Sequence, residues 1–241
     1  MTAGTLSSPR RNATVDPAAA LALLRRWLAS ALAPDACVWL DQEIARQQAG
    51  ADERKLVIAL GLAGRKLGRT MLALAPEDAA AAQDLRDAWR PQHWATDEAA
   101  RVTLLLATHR DDDRGFAERF ERLCVTAEIT EHVSYMKGLA ILPAGPSLIG
   151  RAREGVRSSI ALLFEAIACR NPYPRDHFDT DAWNQMVVKC VFGGTPLDGV
   201  VGLHERRNAD LVVMLRDLVA ERHAASRPLP RDVHDFIAGR A

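Results

Sequence analysis

RNPYPRDHFDTDAWNQMVVKC, residues 170–190, breaks the pattern on both sides of it. Its neighbours are runs of Ala, Leu, Arg, Glu and Asp, the composition of ordinary helices. Here two prolines bracket a tyrosine, and His, Phe and Trp follow closely. Pro172 disfavours helical geometry at Asn171, so the preceding helix should end there. Pro174 should then hold the chain extended, with Tyr173 fixed between two rigid rings. Asp179 or Asp181 can cap the next helix, AWNQMVVKCVFGG, which Gly193 and Gly194 terminate. A helix ending at NPYP and a second starting at an Asp make a helical pair, and this reading sets the fold class.

The second helix of the pair is apolar nearly all round. Trp183, Met186, Val187, Cys190 and Val191 span one side, and Val188 and Phe192 widen it. Asn184, Gln185 and Lys189 occupy the narrow remainder. A helix of that kind is largely buried, so its polar groups need partners. The helix before it reads as one piece over 152–170. Val156, Ile160, Leu163, Phe164 and Ile167 lie on one side, and Glu154, Ser158, Ala161 and Glu165 on the other. Glu165 is the natural ion-pair partner for Lys189. Either that pair is structural, or Glu165, Asn171, Tyr173, Trp183, Asn184, Gln185 and Lys189 line a ligand pocket. Downstream, Asn208 suits an N-cap for ADLVVMLRDLVAER. Arg206 and Arg207 precede that start, where they make surface ion pairs or meet an anion.

Working outward, helix signals dominate and strand signals are nearly absent. Asp16 followed by Pro17 opens a helix with a stripe through Leu21, Leu24, Leu28 and Leu32. Others are expected over 35–48 and 52–67, from Pro76, from a Thr96 cap, through Phe116, Phe120 and Leu123, and over AEITEHVSYMKGLAIL. The expected fold is all-α: an irregular stack of antiparallel helix pairs, either a HEAT-like α-solenoid or a helical bundle. No exact repeat supports a regular array. Residues 1–14 are expected to be a disordered tail, and 15–241 a single all-helical domain.

The totals exclude several classes. The 31 basic and 31 acidic residues cancel, so no global field favours nucleic acid or an anionic membrane. Cys37, Cys124, Cys169 and Cys190 form no C-x-x-C motif and read as reduced thiols. No apolar run has the length of a membrane span, and a cytoplasmic protein is expected. Metalloprotease, hydrolase, phosphate-loop and dinucleotide motifs are absent from the sequence. Neither a Cys169–His177 pair nor a metal site from Glu165, His177 and His204 has motif support. No metal or cofactor is expected.

The segment from EGVRSSIALLFEAIACRNPYP through WNQMVVKC to GLHERRNADLVVMLRDLVAERHAA resembles the EboA family. NPYP, WNQMV-K and GL-x-x-R-x-N carry the likeness, and WRPQHWATDEAARVTLLL and RLCVTAEITE extend it over roughly residues 17–225. PRDVHDFIAGRA fits that pattern less well, and His204 stands where an acidic residue is expected. The resemblance implies a helical protein of the ebo cluster, acting in traffic of a secondary-metabolite precursor out of the cytoplasm. It implies no catalytic residue. Glu165, Asn171, Tyr173, Trp183, Asn184, Gln185, Lys189, Arg206 and Asn208 become the candidate ligand-binding surface. The expected partners are a small-molecule precursor or other ebo-cluster proteins, with peripheral contact to a membrane prenyltransferase. Neither nucleic acid nor membrane insertion is expected. The runner-up is an enzyme acting on a prenyl- or cyclitol-like intermediate, with Lys189 and Glu165 at its site.

Overall fold

Proline and carboxylate caps set most of the helix starts. The computed structural model describes residues 15–227 and 229–240, so the tail expected over 1–14 lies outside it. Asp16 accepts from the Ala18 amide at 2.9 Å and opens α1 (Pro17–Ala31). Pro34 begins α2 (Pro34–Gln48), and Asp52 caps α3 (Glu53–Leu67) through the Lys55 amide. Pro76 begins α4 (Pro76–Leu85). Then come α5 (Thr96–Leu106), α6 (Asp113–Thr126) and α7 (Ile129–Gly138). The C-terminal part holds α8 (Ile149–Arg157), α9 (Ala161–Ala168), α10 (Tyr173–His177) and α11 (Thr180–Gly193), followed by α12 (Ala209–Ala224) and α13 (Arg231–Ala238). The β structure among the described residues is one isolated bridge, Met71 to Ala95. The chain is all-α, as the sequence predicts.

α5 is the hub. Every residue of it except Glu98 is buried, and it packs against α1, α2, α3 and α7. Its run AARVTLLL has an apolar or small side chain at nearly every position, so no polar face exists to turn to water. A stack of sequential pairs would not bring α5 onto α1, four helices back; around α5 the chain takes the bundle alternative. Trp27, Trp89 and Trp94 close one end of this core, with ring centroids 5.7 and 5.5 Å apart. From the hub the packing passes from α7 to α9, and from α9 to α8 and α11. α12 then joins α11, and α13 joins α12.

Four local expectations change. The single helix over 152–170 is two: α8 ends at Arg157 and α9 starts at Ala161. Ser158 is extended, with ψ 141°, and its hydroxyl accepts from the Ile160 amide. Consecutive serines compete with the helix for its own backbone groups. The break carries Ile160 off the buried stripe and leaves it 44% exposed. Gly155 lets α8 and α9 close up: a Cβ there would lie 2.3 Å from Ile167 Cδ1. Second, α9 ends at Ala168, before Asn171, and Arg170 takes a left-handed φ of 57°. Third, Tyr173 and Pro174 are not extended. They open the short helix α10, where proline's fixed φ suits a first turn. Fourth, Thr96 is not the cap of α5. The Glu98 carboxylate accepts from the Ala95 amide at 2.8 Å, while the Thr96 hydroxyl donates to Leu67 and Gly68 oxygens.

Candidate functional site

The nine residues singled out above do not converge on one pocket. Asn171 is buried. Its Nδ2 donates to the Met136 and Ala166 carbonyls at 3.0 and 3.1 Å, and its Oδ1 accepts from the Tyr173 amide. Tyr173 is fully buried, donates to the Gly145 carbonyl at 2.6 Å and packs against the tilted His177 ring with centroids 4.4 Å apart. Burial pushes its phenol far above the ordinary range. Asn184 and Asn208 exchange amide hydrogen bonds at 3.1 and 2.8 Å, tying α11 to the start of α12. Asn208 Oδ1 also caps α12 through the Leu211 amide at 2.9 Å, as its sequence position predicts. The Arg206 guanidinium lies 4.7 Å above the buried Trp183 ring and donates to the Pro174 and Arg175 carbonyls. Arg207 donates to the Phe236 and Ile237 carbonyls instead of meeting an anion.

Lys189 and Gln185 are placed differently from the expectation. Lys189 makes no ion pair with Glu165. Its ammonium donates to the Val156 and Ser158 carbonyls at 2.6 and 2.7 Å and sits 4.6 Å over the Phe164 ring. It thereby satisfies carbonyls freed by the α8–α9 break that the sequence did not reveal. Burial lowers its pKa. Gln185 is exposed to solvent. A catalytic Lys189–Glu165 pair therefore has no geometric basis. Asn171, Tyr173, Asn184, Lys189, Arg206 and Asn208 form a clamp: their donors go to backbone carbonyls or to one another, while the buried Trp183 Nε1 has no partner among the described residues.

Two of the nine, Glu165 and Asn171, also border a cavity of about 320 Å³ where α9 meets α5 and α7. Its wall is apolar, through Trp94, Ile129, Val133, Leu162 and Ala166. Its floor is ionic. Asp97 accepts from Arg101 at 2.7 Å, both nearly fully buried, and Arg101 also donates to the Leu60 carbonyl and the Ser134 hydroxyl. Glu98 takes the Lys137 ammonium at 2.6 and 2.7 Å, and Lys137 reaches the His93 carbonyl. A buried ion pair persists only with this kind of full hydrogen bonding.

The rim is where charge is left over. Arg90, Arg170 and Glu165 line the cavity, and among the described residues none of their side chains makes an ion pair or a hydrogen bond. Arg69 stands 3.7 Å from Asp97 and is mostly exposed. His93 is held below the usual imidazole pKa by burial, then by the positive charges of Arg170 and Lys137. Cys169, also in the wall, is pushed up to about 11 by burial. It is a neutral thiol, and no hydrogen bond joins it to His177. His204 packs edge-on against Phe236, away from His177 on Tyr173. Among the described residues no group of three His, Cys, Asp or Glu side chains gathers to hold a metal.

Arg90, His93, Lys137 and Arg170 carry no motif chemistry and escaped residue-by-residue reading. The signal available was the stretch WRPQHWATDE, which holds Arg90, His93, Trp94, Asp97 and Glu98 together. The family comparison now has a structure to rest on. The sequence profile of the EboA family, described as metabolite traffic protein EboA, matches residues 20–238. The chain belongs to the EboA family. The match takes in α13, whose sequence fits the pattern less well by eye; Val233 and Phe236 of that helix are buried. No curated protein and no solved structure matches the chain. Among the described residues, no helix is long and apolar enough to cross a membrane.

Proposed function

We propose that this EboA protein binds a small metabolite in the α5–α7–α9 cavity and passes it on without transforming it. The observation that carries this reading is the rim. Arg90, Arg170 and Glu165 face a cavity of about 320 Å³ with an apolar wall, and each lacks a partner among the described residues. A concave apolar site with a few convergent polar groups is the usual form of a small-molecule site. Metabolite traffic in the family's description agrees with a carrier. The chemistry around the cavity favours holding over turnover. Cys169 is protonated, Lys137 is neutralised by Glu98, and Lys189 is occupied by carbonyls elsewhere.

Native mass spectra of the protein purified gently from its own host test this, with the Val133→Trp variant beside the wild-type chain. Val133 is half-buried in the cavity wall, so an indole there fills the space. The expected result is a small-molecule adduct on the wild-type protein that Val133→Trp lacks. A clean apo mass for both, or a shift by a whole protein partner, would move the assignment to a docking scaffold.

A further inference from the structure

Building on that cavity, we infer that its ligand is an acid: a phosphate or carboxylate read by Arg90 and Arg170, on an apolar body that lies along Ile129, Val133 and Leu162. Two of the carboxylates in the cavity are already neutralised. Asp97 is held by Arg101 behind it, and Glu98 by Lys137. What remains for a ligand is the two exposed guanidiniums of Arg90 and Arg170 and one half-buried carboxylate, Glu165; the exposed Arg69 stands 3.7 Å from Asp97. Guanidinium is the side chain whose planar fork matches the two oxygens of a carboxylate or phosphate. Positive charge reaches the imidazole in the same wall: His93 has its pKa lowered first by burial and then by Arg170 and Lys137.

Arg170 is the sharper of the two. It sits at φ 57°, a conformation in which an L side chain is strained and glycine is not. The backbone is fastened there from both sides. The Arg170 amide donates to the Gly199 carbonyl at 2.6 Å, and its own carbonyl accepts from the Arg90 amide at 3.4 Å. That second bond joins the two rim arginines through their main chains. Inside the protein, the Arg170 side chain gains no ion pair or hydrogen bond among the described residues to offset the strain. Residues held in such a conformation concentrate at ligand sites. A ligand anion between Arg90 and Arg170 gives the side chain its partner.

Glu165 is the counter-indication, and it sets the test. If Glu165 read the ligand's charged group, the cavity would prefer a cation. Four probes share one apolar body: phenyl phosphate, benzoate, benzyl alcohol and benzylamine. Each is titrated into the full-length protein by calorimetry, with amide NMR shifts followed at 90–95, 129–137 and 162–171. The expected order puts phenyl phosphate or benzoate at least about tenfold tighter than benzyl alcohol, with benzylamine weakest. Which acid wins separates a phosphate ligand from a carboxylate. Arg90→Gln and Arg170→Gly should each weaken the better acid by about tenfold. Arg170→Gly should do so without lowering Tm, because glycine suits that φ. Equal binding of the acid and the alcohol, a preference for benzylamine, or an unchanged affinity in both variants would overturn the inference. The carrier reading fails separately. It falls if the host-purified protein carries no small molecule; it survives if a cation or a neutral ligand occupies the cavity.

Discussion

The clamp of α9–α12 and the cavity of α5–α7–α9 share Asn171 but use polar side chains in opposite ways. In the clamp, Asn171, Asn184, Lys189, Arg206 and Asn208 give their donors to carbonyls and to one another. In the cavity, Arg90, Arg170 and Glu165 are left over. The contrast separates two causes for an unusual side chain. A buried amide or ammonium with every bond made specifies how helices meet. A charge with no bond made beside an apolar wall is available to something else. The clamp has the distinctive sequence, and the cavity has the free chemistry.

The largest effect expected is in the clamp. Asn171→Ala removes three hydrogen bonds and strands the buried Tyr173 amide, so urea unfolding should show a loss of about 3 kcal/mol. A small loss there, with binding abolished, would move Asn171 from the clamp to the cavity. Next, Asn184→Ala and Asn208→Ala should each cost about 1–2 kcal/mol, and together less than the sum, because they remove the same amide pair. Additive losses would show that the two amides act independently.

Lys189→Met should cost about 1 kcal/mol, because solvent can replace part of what the ammonium supplies at this half-buried site. Hydrogen exchange should quicken across 156–163, while probe binding in the cavity stays unchanged. A loss of binding would restore Lys189 to the ligand site. The cavity should behave in reverse. Arg170→Gly should raise stability by about 1 kcal/mol or less while weakening acid binding, a gain and a loss that no clamp residue can show.

The mildest effect is a slope with pH. His132 and His177 have pKa values lowered mainly by burial; Arg151 also lowers His132, and Arg86 lowers His177 against the opposing pull of Asp176. Above their ordinary pKa of about 6.5, both folded and unfolded chains hold them neutral. Below it the unfolded chain takes the proton first, so stability should fall as pH drops from 7 toward 5. The carboxylates held low, Glu53 and Asp179, lose their contribution only in more acid solution, below their unfolded values. Tm measured from pH 7 to 5 should decline, and His177→Gln should flatten the decline. An unchanged slope would leave His132 and His93, whose pKa burial also lowers, as the sensors.

Much of the fold can be read locally. Asp16 and Asn208 cap the helices that their positions predict, Asp179 is the one of the two candidate aspartates that caps α11, and Asp52, where a helix is expected to begin, caps it, because a cap is decided within four residues. Gly194 ends α11 in a left-handed conformation for the same local reason. The apolar face of α11 through Trp183, Met186, Val187, Cys190 and Val191 is buried as expected, but Phe192 is 60% exposed and Gln185 faces solvent, so the helix is buried on one side only. The break at Ser158 was not legible. The apolar spacing runs straight through it, and what stabilises it is an ammonium thirty-one residues away. The cavity was hidden for a related reason. Arg90 and Arg170 are exposed arginines, and their place beside an apolar cavity exists only relative to neighbours supplied by α5, α7 and α9.

By itself, the sequence determined the all-α class, most helix starts, the buried face of α11 and membership of the EboA family. These follow from caps, periodicity and motif, which act over a few residues or are matched one residue at a time. Tertiary structure alone decided which polar groups are spent and which are free. That outcome depends on distances between atoms far apart in the chain, because a charge is satisfied or available only through what packing brings within about 3 Å of it.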